Sequence, residues 1–290
     1  PETRLKRGSR MSPLLSLHPL LARIASWLQY EVQPIYRKTF AQHGGGMQRK
    51  SDGTYAGNLD RAIAESCRKE FSTTCPVVTE EDAQVLWPPA NDAKTTILLD
   101  PLDGTHNDGM GQPSCGTQAV VVEDGSVTVS AILRPWIEEV TRCGLYVAVR
   151  GKGAYRCGGM PTSLTRLAIA QELDLTKACV LFEGSTGNQR KSAEVAQIKR
   201  LARRHRINPS CAESGALIAH GSLYPTPAHA LVAVDNAPWD NLPPALLIEE
   251  AGGKVTDFQG QPWGLTTRNL VAANPQLHAA ILAAMHNQKE

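Results

Sequence analysis

The chain has 290 residues, of which 30 are Lys or Arg and 28 are Asp or Glu, so its formal net charge is +2. Hydrophobic residues make up 42% and charged residues 20%, a composition that excludes an intrinsically disordered chain and allows a large buried core. The charge balance and an aromatic content of 5% give no sign of a nucleic-acid-binding protein. No apolar run reaches the roughly 18–20 residues of a membrane helix. The sequence therefore predicts a soluble globular protein.

The cysteines and the N-terminal segment indicate the cellular compartment. Seven cysteines are scattered along the chain without a C-x-x-C pair: Cys67, Cys75, Cys115, Cys143, Cys157, Cys179 and Cys211. An odd, dispersed set is typical of reduced thiols, so we expect a cytoplasmic protein. The basic residues Pro1–Arg10 precede Met11 and lack the apolar stretch of a signal peptide, so we interpret them as a leader or an expression-derived segment.

The hydrophobic spacing predicts helices and strands in separate blocks. The first half is expected to contain helices at Pro13–His43 (bent near Pro34) and Leu59–Phe71, then strands at Pro76–Thr79 and Thr95–Leu99. Three β-rich stretches between Ser114 and Val149 predict an antiparallel meander, with a hairpin at Asp124-Gly125. The remaining predicted elements are helices at Asn188–Arg206, Ala212–Gly221, Asn241–Ala251 and from Pro275, and strands at Ala230–Val234 and Leu270–Ala273. These blocks favour α+β layers over a parallel βαβ fold.

A carboxylate-rich stretch, Leu98–His106, follows one of the predicted strands. Its two aspartates, Asp100 and Asp103, enter a turn that Pro101 stiffens and in which Gly104 allows a close backbone approach. Successive amides at Gly104, Thr105 and His106 are a candidate anion cradle beside the carboxylates. Metal-binding carboxylates next to phosphate-binding amides are the parts of metal-assisted phosphoryl transfer. An ordinary surface turn is the alternative, because Asp, Pro and Gly all favour turns.

Two further acidic positions strengthen the metal interpretation. Glu80-Glu81 follows another predicted strand, and Asp240 stands at the start of a predicted helix, where an N-cap role is the simplest reading. Three blocks then resemble the inositol monophosphatase superfamily of Mg-dependent, lithium-sensitive sugar phosphatases: Val78–Asp82, Leu99–Thr105, and Trp239-Asp240 followed by Glu249–Asp257. Supporting blocks are Arg150–Ala154 and Ala272–Asn274, and the resemblance runs from about Leu20 to Met285.

The resemblance implies a fold and a division of the chain. The expected fold is the layered αβαβα sandwich of the inositol monophosphatase and fructose-1,6-bisphosphatase type, within the α+β class. Residues 11–290 are expected to form a single phosphatase unit, with an N-terminal α+β half at about 11–160 and a C-terminal α/β half at about 161–290. Dimers are common in the family, so a homodimer is one assembly to expect.

The resemblance also implies the site residues. Two or three Mg²⁺ ions are expected on the carboxylates of Glu80, Asp100, Asp103 and Asp240 and the carbonyl of Leu102, with Asp100 bridging two ions. Two adjacent ions can clamp a phosphate and stabilise the attacking and leaving oxygens. Thr105 and Asp60 resemble the pair that orients the attacking water, so both are counted as catalytic, together with Glu80. Gly104, Thr105 and His106 are expected to bind phosphate, and Lys50 resembles a basic residue near the entrance, counted as substrate-binding.

Three departures from the family pattern concern activity and substrate. Gly57 stands where a threonine is expected before Asp60. Asp108 follows Asn107, at a position where the family often has an aromatic residue. Ala233 replaces a glutamate that meets substrate hydroxyls in inositol-cleaving members. Asp235 is the nearest carboxylate, and strand alternation would keep it on the same face. We therefore expect Asp108 and Asp235 to bind substrate, for example through a positively charged group such as that of an amino-alcohol phosphate. The alternatives for Asp108 are binding of a further cation or contact with solvent alone.

These observations predict a Mg-dependent phosphomonoesterase that hydrolyses a small phosphorylated polyol or sugar, similar to inositol 1-phosphate, with metal-activated water. The alternatives are histidinol phosphatase, fructose-1,6-bisphosphatase, 3′-phosphoadenosine 5′-phosphate phosphatase, or a regulatory member without turnover. The expected partner is a small phosphate ester, with no membrane and no nucleic acid. The basic run Arg200, Arg203, Arg204 and Arg206 is interpreted as a solvated helix face, and contact with a polyanion or RNA is the alternative.

Overall fold

Two large β-sheets, a two-stranded ribbon and covering helices form the described part of the chain. The structure is a computed structural model that describes residues 13–40, 48–49, 55–82, 87–88, 94–135, 144–158, 163–184, 193–208, 210–223 and 225–287. The segment Pro1–Arg10, Lys50 and Cys143 lie outside these residues. None of the described helices is long and apolar enough to cross a membrane.

The larger sheet has seven strands in the order β3-β4-β5-β6-β7-β8-β9. They span Val77–Thr79, Thr95–Asp103, Gly116–Glu123, Ser126–Leu133, Leu145–Val149, Gly153–Gly158 and Ser163–Arg166. Only β3 and β4 pair in parallel; every other pair of neighbours is antiparallel. The β5–β6 connection uses Asp124 at φ 47° and Gly125 at φ 76°, because a tight hairpin needs left-handed residues there. The predicted meander and its hairpin are confirmed.

The smaller sheet has five strands in the order β11-β10-β12-β14-β13. In chain order, β10 to β14 span Cys179–Glu183, Arg204–Ile207, Ala230–Ala233, Lys254–Thr256 and Leu270–Ala273. The pairs β11–β10 and β10–β12 are parallel, whereas β14 is antiparallel to both of its neighbours. A separate two-stranded ribbon joins β1 (Gln48–Arg49) to β2 (Tyr55–Ala56).

Nine described helices complete the layers. They are α1 Pro13–Leu17, α2 Pro19–Trp27, α3 Gln33–Phe40, α4 Asn58–Phe71, α5 Thr105–Gly109, α6 Ala193–Leu201, α7 Cys211–Ala219, α8 Pro238–Glu250 and α9 Pro275–His286. Helices α1 to α4 cover the outer face of the seven-stranded sheet, and α7 and α8 lie between the two sheets. Helices α6 and α9 cover the far face of the five-stranded sheet. The predicted α+β fold with αβαβα layers is confirmed.

Two predicted helices differ from the observed ones. The single helix expected at Pro13–His43 is divided, because His18 caps a new helix whose first residue, Pro19, has no amide to donate. A π-helical turn at Leu28–Val32 then precedes α3. The basic helix expected to reach Arg206 ends at Leu201, and Arg204–Ile207 forms β11 instead. Parallel pairing with β10 supplies hydrogen bonds that outweigh the helical preference of the run.

Candidate active site

A bulge in β4 brings Asp100 and Asp103 to one side of the sheet. Residues three apart in a regular strand point to opposite faces. Here Asp100 pairs with Gln118 and Asp103 with Gly116, so β4 has one residue more than β5 between the two pairs. That extra residue restores a common direction for the two carboxylates. The stretch expected to be a turn after Leu99 is therefore still strand, and the turn begins only at Gly104.

Asp240 completes a group of three carboxylates. One oxygen from each of Asp100, Asp103 and Asp240 lies within 4.8 Å of the others. Asp240 is not the N-cap of its helix, as the sequence suggested. Ala237 is the N-cap of α8, and Asp240 is the third helical residue, whose Oδ2 accepts the amide of Ala237 at 3.1 Å. That bond reaches back to the helix start and holds one oxygen, which leaves the other available to the cluster.

Asp103 is also anchored by a helix start that sequence reasoning did not identify. Its Oδ2 accepts hydrogen bonds from the Ser210 hydroxyl at 2.5 Å and the Ala212 amide at 2.8 Å. Ser210 is the N-cap of α7, so the carboxylate lies at the positive end of that helix. These bonds fix the carboxylate between the two sheets.

A second group lies beside the carboxylates and contains Thr105 and Asp60. The Thr105 hydroxyl lies 2.7 Å from the Leu102 carbonyl and 3.3 Å from Asp60 Oδ1. Asp60 is the third residue of α4, and its Oδ2 accepts the amide of Gly57 at 2.7 Å. Gly57 is the N-cap of α4. A threonine at this position would add a hydroxyl cap, so the glycine removes a side-chain bond but leaves Asp60 in place.

Burial and mutual repulsion raise the pKa values of the cluster. Burial raises the pKa of Asp60 to about 7 and that of Asp103 to about 6. The pKa values of Asp100 and Asp240 are also raised, first by burial and then by neighbouring carboxylates that include Glu80. Like charges this close are ionised together only when a cation compensates them.

The donor set fits a hard divalent cation. Carboxylate oxygens from three residues are the ligands that Mg²⁺ and Ca²⁺ prefer, and the described residues place no sulfur or imidazole ligand in this group. Glu80 lies outside the 4.8 Å group, but its charge raises the pKa of all three aspartates, so it faces the same space. The backbone amide of Glu80 donates to the Leu99 carbonyl at 3.2 Å, which ties the residue to β4.

The other predicted site residues differ in their exposure, and one of them is not described by the structure. Gly104 adopts a left-handed conformation (φ 82°) and is the N-cap of α5, so the amides of Thr105 and His106 belong to the first turn of that short helix. The His106 residue is exposed, whereas Asp108 is half-buried and burial raises its pKa. Lys50 lies outside the described residues.

The alternation argument for Asp235 is wrong. Strand β12 ends at Ala233, and Asp235 lies beyond it in a left-handed conformation (φ 54°), exposed to solvent. Its Oδ1 accepts from Arg268 Nε at 2.5 Å. The carboxylate of Asp235 therefore already has a cationic partner in the protein.

Sequence reasoning missed Glu183, a buried carboxylate at the end of β10. Only 2% of the residue is exposed, and its Oε1 accepts from the Ser214 hydroxyl of α7. Burial and the charges of Asp103 and Asp240 raise its pKa, which places it beside the cluster. An acidic residue at the end of a buried strand was the available signal, the same one that identified Glu80.

Comparisons with known proteins agree with this arrangement. The sequence profile of the Inositol monophosphatase family matches residues 19–290. The probable inositol 1-monophosphatase ImpA of Mycobacterium tuberculosis is 26% identical over 238 residues, which cover 81% of this chain and 83% of that protein. The Nus factor SuhB of Escherichia coli strain K12 is 28% identical over 253 residues, 83% of this chain and 85% of that protein.

Solved structures show the same fold. An IMPase/NADP phosphatase complexed with Mg²⁺ and phosphate superposes with a TM-score of 0.76 at 18% identity, over 94% of this chain and 97% of that one. At this identity the likeness concerns the fold alone, whereas the sequence profile spans all three carboxylate blocks. The chain therefore belongs to the inositol monophosphatase family.

Proposed function

We propose that this protein is a Mg²⁺-dependent phosphomonoesterase that hydrolyses a small phosphorylated polyol or sugar by attack of water. The observation that carries the proposal is the convergence of Asp100, Asp103 and Asp240 within 4.8 Å, beside the hydroxyl of Thr105. Glu80 and the carbonyl of Leu102 would complete the ligand set. Bound Mg²⁺ would lower the pKa of a nearby water and offset the charge of the phosphate.

The protein's own groups then orient the reactants. If Thr105 donates its proton to Asp60, 3.3 Å away, its oxygen is left to accept a hydrogen bond from the attacking water. Asp60 is held by the Gly57 amide and would accept the proton that passes through Thr105. The first amides of α5, at Thr105 and His106, would bind phosphate oxygens beside the carboxylates.

The second part of the proposal concerns the class of substrate. Ala233 is fully buried and has no side-chain acceptor for ring hydroxyls. Asp235 is paired with Arg268, so a cationic substrate group would have to displace that arginine. Asp108 remains as the candidate acid for a substrate amine, because it is half-buried and no cationic side chain of the described residues forms an ion pair with it. We therefore place a neutral phosphorylated polyol first and an amino-alcohol phosphate, such as histidinol phosphate, second.

A regulatory member without turnover is the other candidate, and it is supported by the 28% identity to the Nus factor SuhB. The retained Thr105–Asp60 pair favours catalysis, since a protein that only binds partners has no need for a water-orienting hydroxyl. A substrate panel for the test contains inositol 1-phosphate, histidinol phosphate, fructose-1,6-bisphosphate and 3′-phosphoadenosine 5′-phosphate.

The test is phosphate release from this panel with Mg²⁺ and with chelator. The expected result is metal-dependent release from inositol 1-phosphate that is inhibited by Li⁺ and absent in Asp100→Asn. Release that persists in chelator, or that Asp100→Asn retains, would disprove the metal-dependent mechanism. No release from any ester by a folded, Mg²⁺-binding protein would favour the regulatory candidate. An Asp108→Asn variant that changes the ratio of kcat/KM for histidinol phosphate and inositol 1-phosphate would establish the role of Asp108.

A further inference from the structure

A cavity of about 590 Å³ opens at the outer edge of the five-stranded sheet. Its walls come from the edge strand β11, the first residues of β10, helix α7 and the segment 225–229. None of the candidate active-site carboxylates lines it. Its volume lies within the roughly 300–1,000 Å³ range of small-molecule sites. The cavity is therefore a separate feature from the phosphatase site.

Strand pairing gathers positive charge on one side of this edge. Arg204 pairs with Cys179 and Arg206 with Leu181, and all four residues line the cavity. Residues two apart on a strand share a face, so the two guanidinium groups project together. His205, between them, points to the opposite side, where its ring contacts Phe182 at a centroid distance of 6.2 Å.

Two more cations complete the rim. Arg203 lies in the turn before β11, and Lys177 lies in the 3₁₀ turn before β10. Within the described part of the chain, no carboxylate forms an ion pair with Arg203, Arg204 or Arg206. Lys177 pairs with Asp174 at 3.4 Å, and the charge of Glu172 acts on Lys177 and on His229 at the other side of the rim. Three guanidinium groups that have no ion-pair partner among the described residues lie around one concave surface. Stability does not explain this arrangement, since like charges repel one another. They would be compensated by an anionic ligand.

The remaining walls are apolar. Leu181, Leu217, Pro225 and Pro227 line the cavity and contribute no hydrogen-bond donors from their side chains. Arginine forks bind phosphate oxygens in a bidentate manner, and apolar walls suit a flat organic body. A ligand that uses both features has two or more phosphate groups attached to a ring system.

We infer that this basic cavity binds a small organic polyphosphate of the nucleoside di- or triphosphate class. The phosphates would contact Arg203, Arg204 and Arg206, and the base would lie against the leucines and prolines. An extended RNA strand is disfavoured, because the described cavity contains no aromatic ring other than His229 on which successive bases could stack.

The test uses the full chain and ATP in the presence of a chelator, so that the carboxylate cluster repels rather than binds phosphate. Isothermal titration calorimetry is expected to show one ATP per chain. The double variant Arg203→Gln/Arg206→Gln is expected to weaken binding at least about tenfold, because two charged hydrogen-bond donors are lost. Lys177→Gln, outside the strand, is the second variant in case the double variant fails to fold. Arg200→Gln is the matched control, since Arg200 is exposed on α6, bonds only to Gln197 among the described residues, and does not line the cavity.

The outcomes separate the explanations. Three results would support the inference. Asp100→Asn and Arg200→Gln should still bind ATP, the cavity variants should keep their phosphatase activity, and adenosine alone should not bind. Equal weakening in Arg200→Gln and the double variant would overturn it, because the binding would then be general attraction to positive charge. Tighter binding of a single-stranded oligoribonucleotide than of ATP would also overturn the inference and would identify the face as an RNA contact. If the parent protein binds no ATP and the double variant self-associates less than the parent, the face is a subunit contact and the inference is likewise overturned.

Discussion

Glu183 and Ala233 are register partners on the neighbouring parallel strands β10 and β12. Partners in a parallel pair point to the same face, so both side chains are directed towards the layer that contains α7 and α8. Ala233 contributes a methyl group there, whereas Glu183 contributes a buried carboxylate that accepts from Ser214. At this end of the two strands, the buried carboxylate is therefore that of Glu183 on β10, whereas position 233 on β12, where the family pattern has a glutamate, carries none.

The first prediction concerns Glu183→Gln. The pKa of Glu183 is raised by burial and by Asp103 and Asp240, so the ionised side chain destabilises the metal-free fold at neutral pH. We expect the variant to raise the Tm of metal-free protein by about 2–4 °C, which corresponds to about 1 kcal/mol in a large domain. Its Mg²⁺ affinity should fall several-fold, because negative charge beside the ions is lost.

Calorimetric melting with chelator and with a Mg²⁺ titration measures both effects. Glu65→Gln is the matched control, because Glu65 is an exposed carboxylate on α4. A lower Tm in chelator together with unchanged Mg²⁺ affinity would show that Glu183 acts only as a hydrogen-bond acceptor for Ser214.

The second prediction concerns the hydroxyl of Thr105. Thr105→Val keeps the β-branched shape but removes the group that contacts both Asp60 and the Leu102 carbonyl. We expect kcat to fall by at least about 100-fold with little change in KM, since proton transfer and water orientation are lost while phosphate binding remains. Thr105→Ser restores the hydroxyl and should stay within about tenfold of the parent. Steady-state kinetics on the best ester of the panel measures this, and equal losses in Val and Ser variants would assign Thr105 a packing role.

The sequence predicted much of the site because its chemistry is local. Asp100, Asp103 and Thr105 belong to one short stretch, and their types alone indicate metal and phosphate binding. What the sequence did not provide was the direction of the side chains. The bulge that aligns Asp100 with Asp103 depends on pairing with β5, and a strand period read from the sequence would separate them.

Tertiary pairing also explains where the predictions from the sequence were wrong or incomplete. The basic run before Ile207 has charges at both helical and strand spacing, and only its pairing with β10 decides for the strand. Asp235 fails for a similar reason, because β12 ends at Ala233 and alternation stops there. Glu183 was missed because its partners, Ser214 and the aspartates, are distant in sequence.

The third prediction concerns the metal itself. Asp100 is 1% exposed and its pKa is raised by burial and by Glu80, Asp103 and Asp240. Asp100→Asn should therefore raise the Tm of metal-free protein, abolish the Tm increase that Mg²⁺ causes, and lower kcat/KM at least about 1,000-fold, since a charge of the proposed ligand set is lost. Asp108→Asn is the control and should keep the Mg²⁺-dependent Tm increase. A normal Mg²⁺ response in folded Asp100→Asn would remove Asp100 from the ligand set.

The final prediction is the pH dependence of stability without metal, to which two sets of groups contribute with opposite signs. Burial raises the pKa of Asp60 to about 7 and that of Asp103 to about 6, so between about pH 4 and 7 the folded state binds more protons than the unfolded state. Stability from these groups is present at low pH and is lost as pH rises. Burial lowers the pKa values of His220 and His278 to about 4, so their contribution is lost as pH falls below about 6.5.

The acidic set should dominate, because burial also raises the pKa values of Asp100, Asp240 and Glu183. The opposing groups are three histidines, His220, His229 and His278, and two carboxylates with lowered pKa values, Glu172 and Asp174, which solvent screens. We therefore expect the Tm of dialysed, metal-free protein to fall as pH rises from about 4.5 to 7.5. Saturating Mg²⁺ should reverse the slope, since a bound cation favours the ionised carboxylates. His278→Gln should steepen the metal-free slope by removing one opposing group. Melting curves across this range check all three statements, and a metal-free Tm that rises with pH would mean that the carboxylates are compensated without a divalent ion.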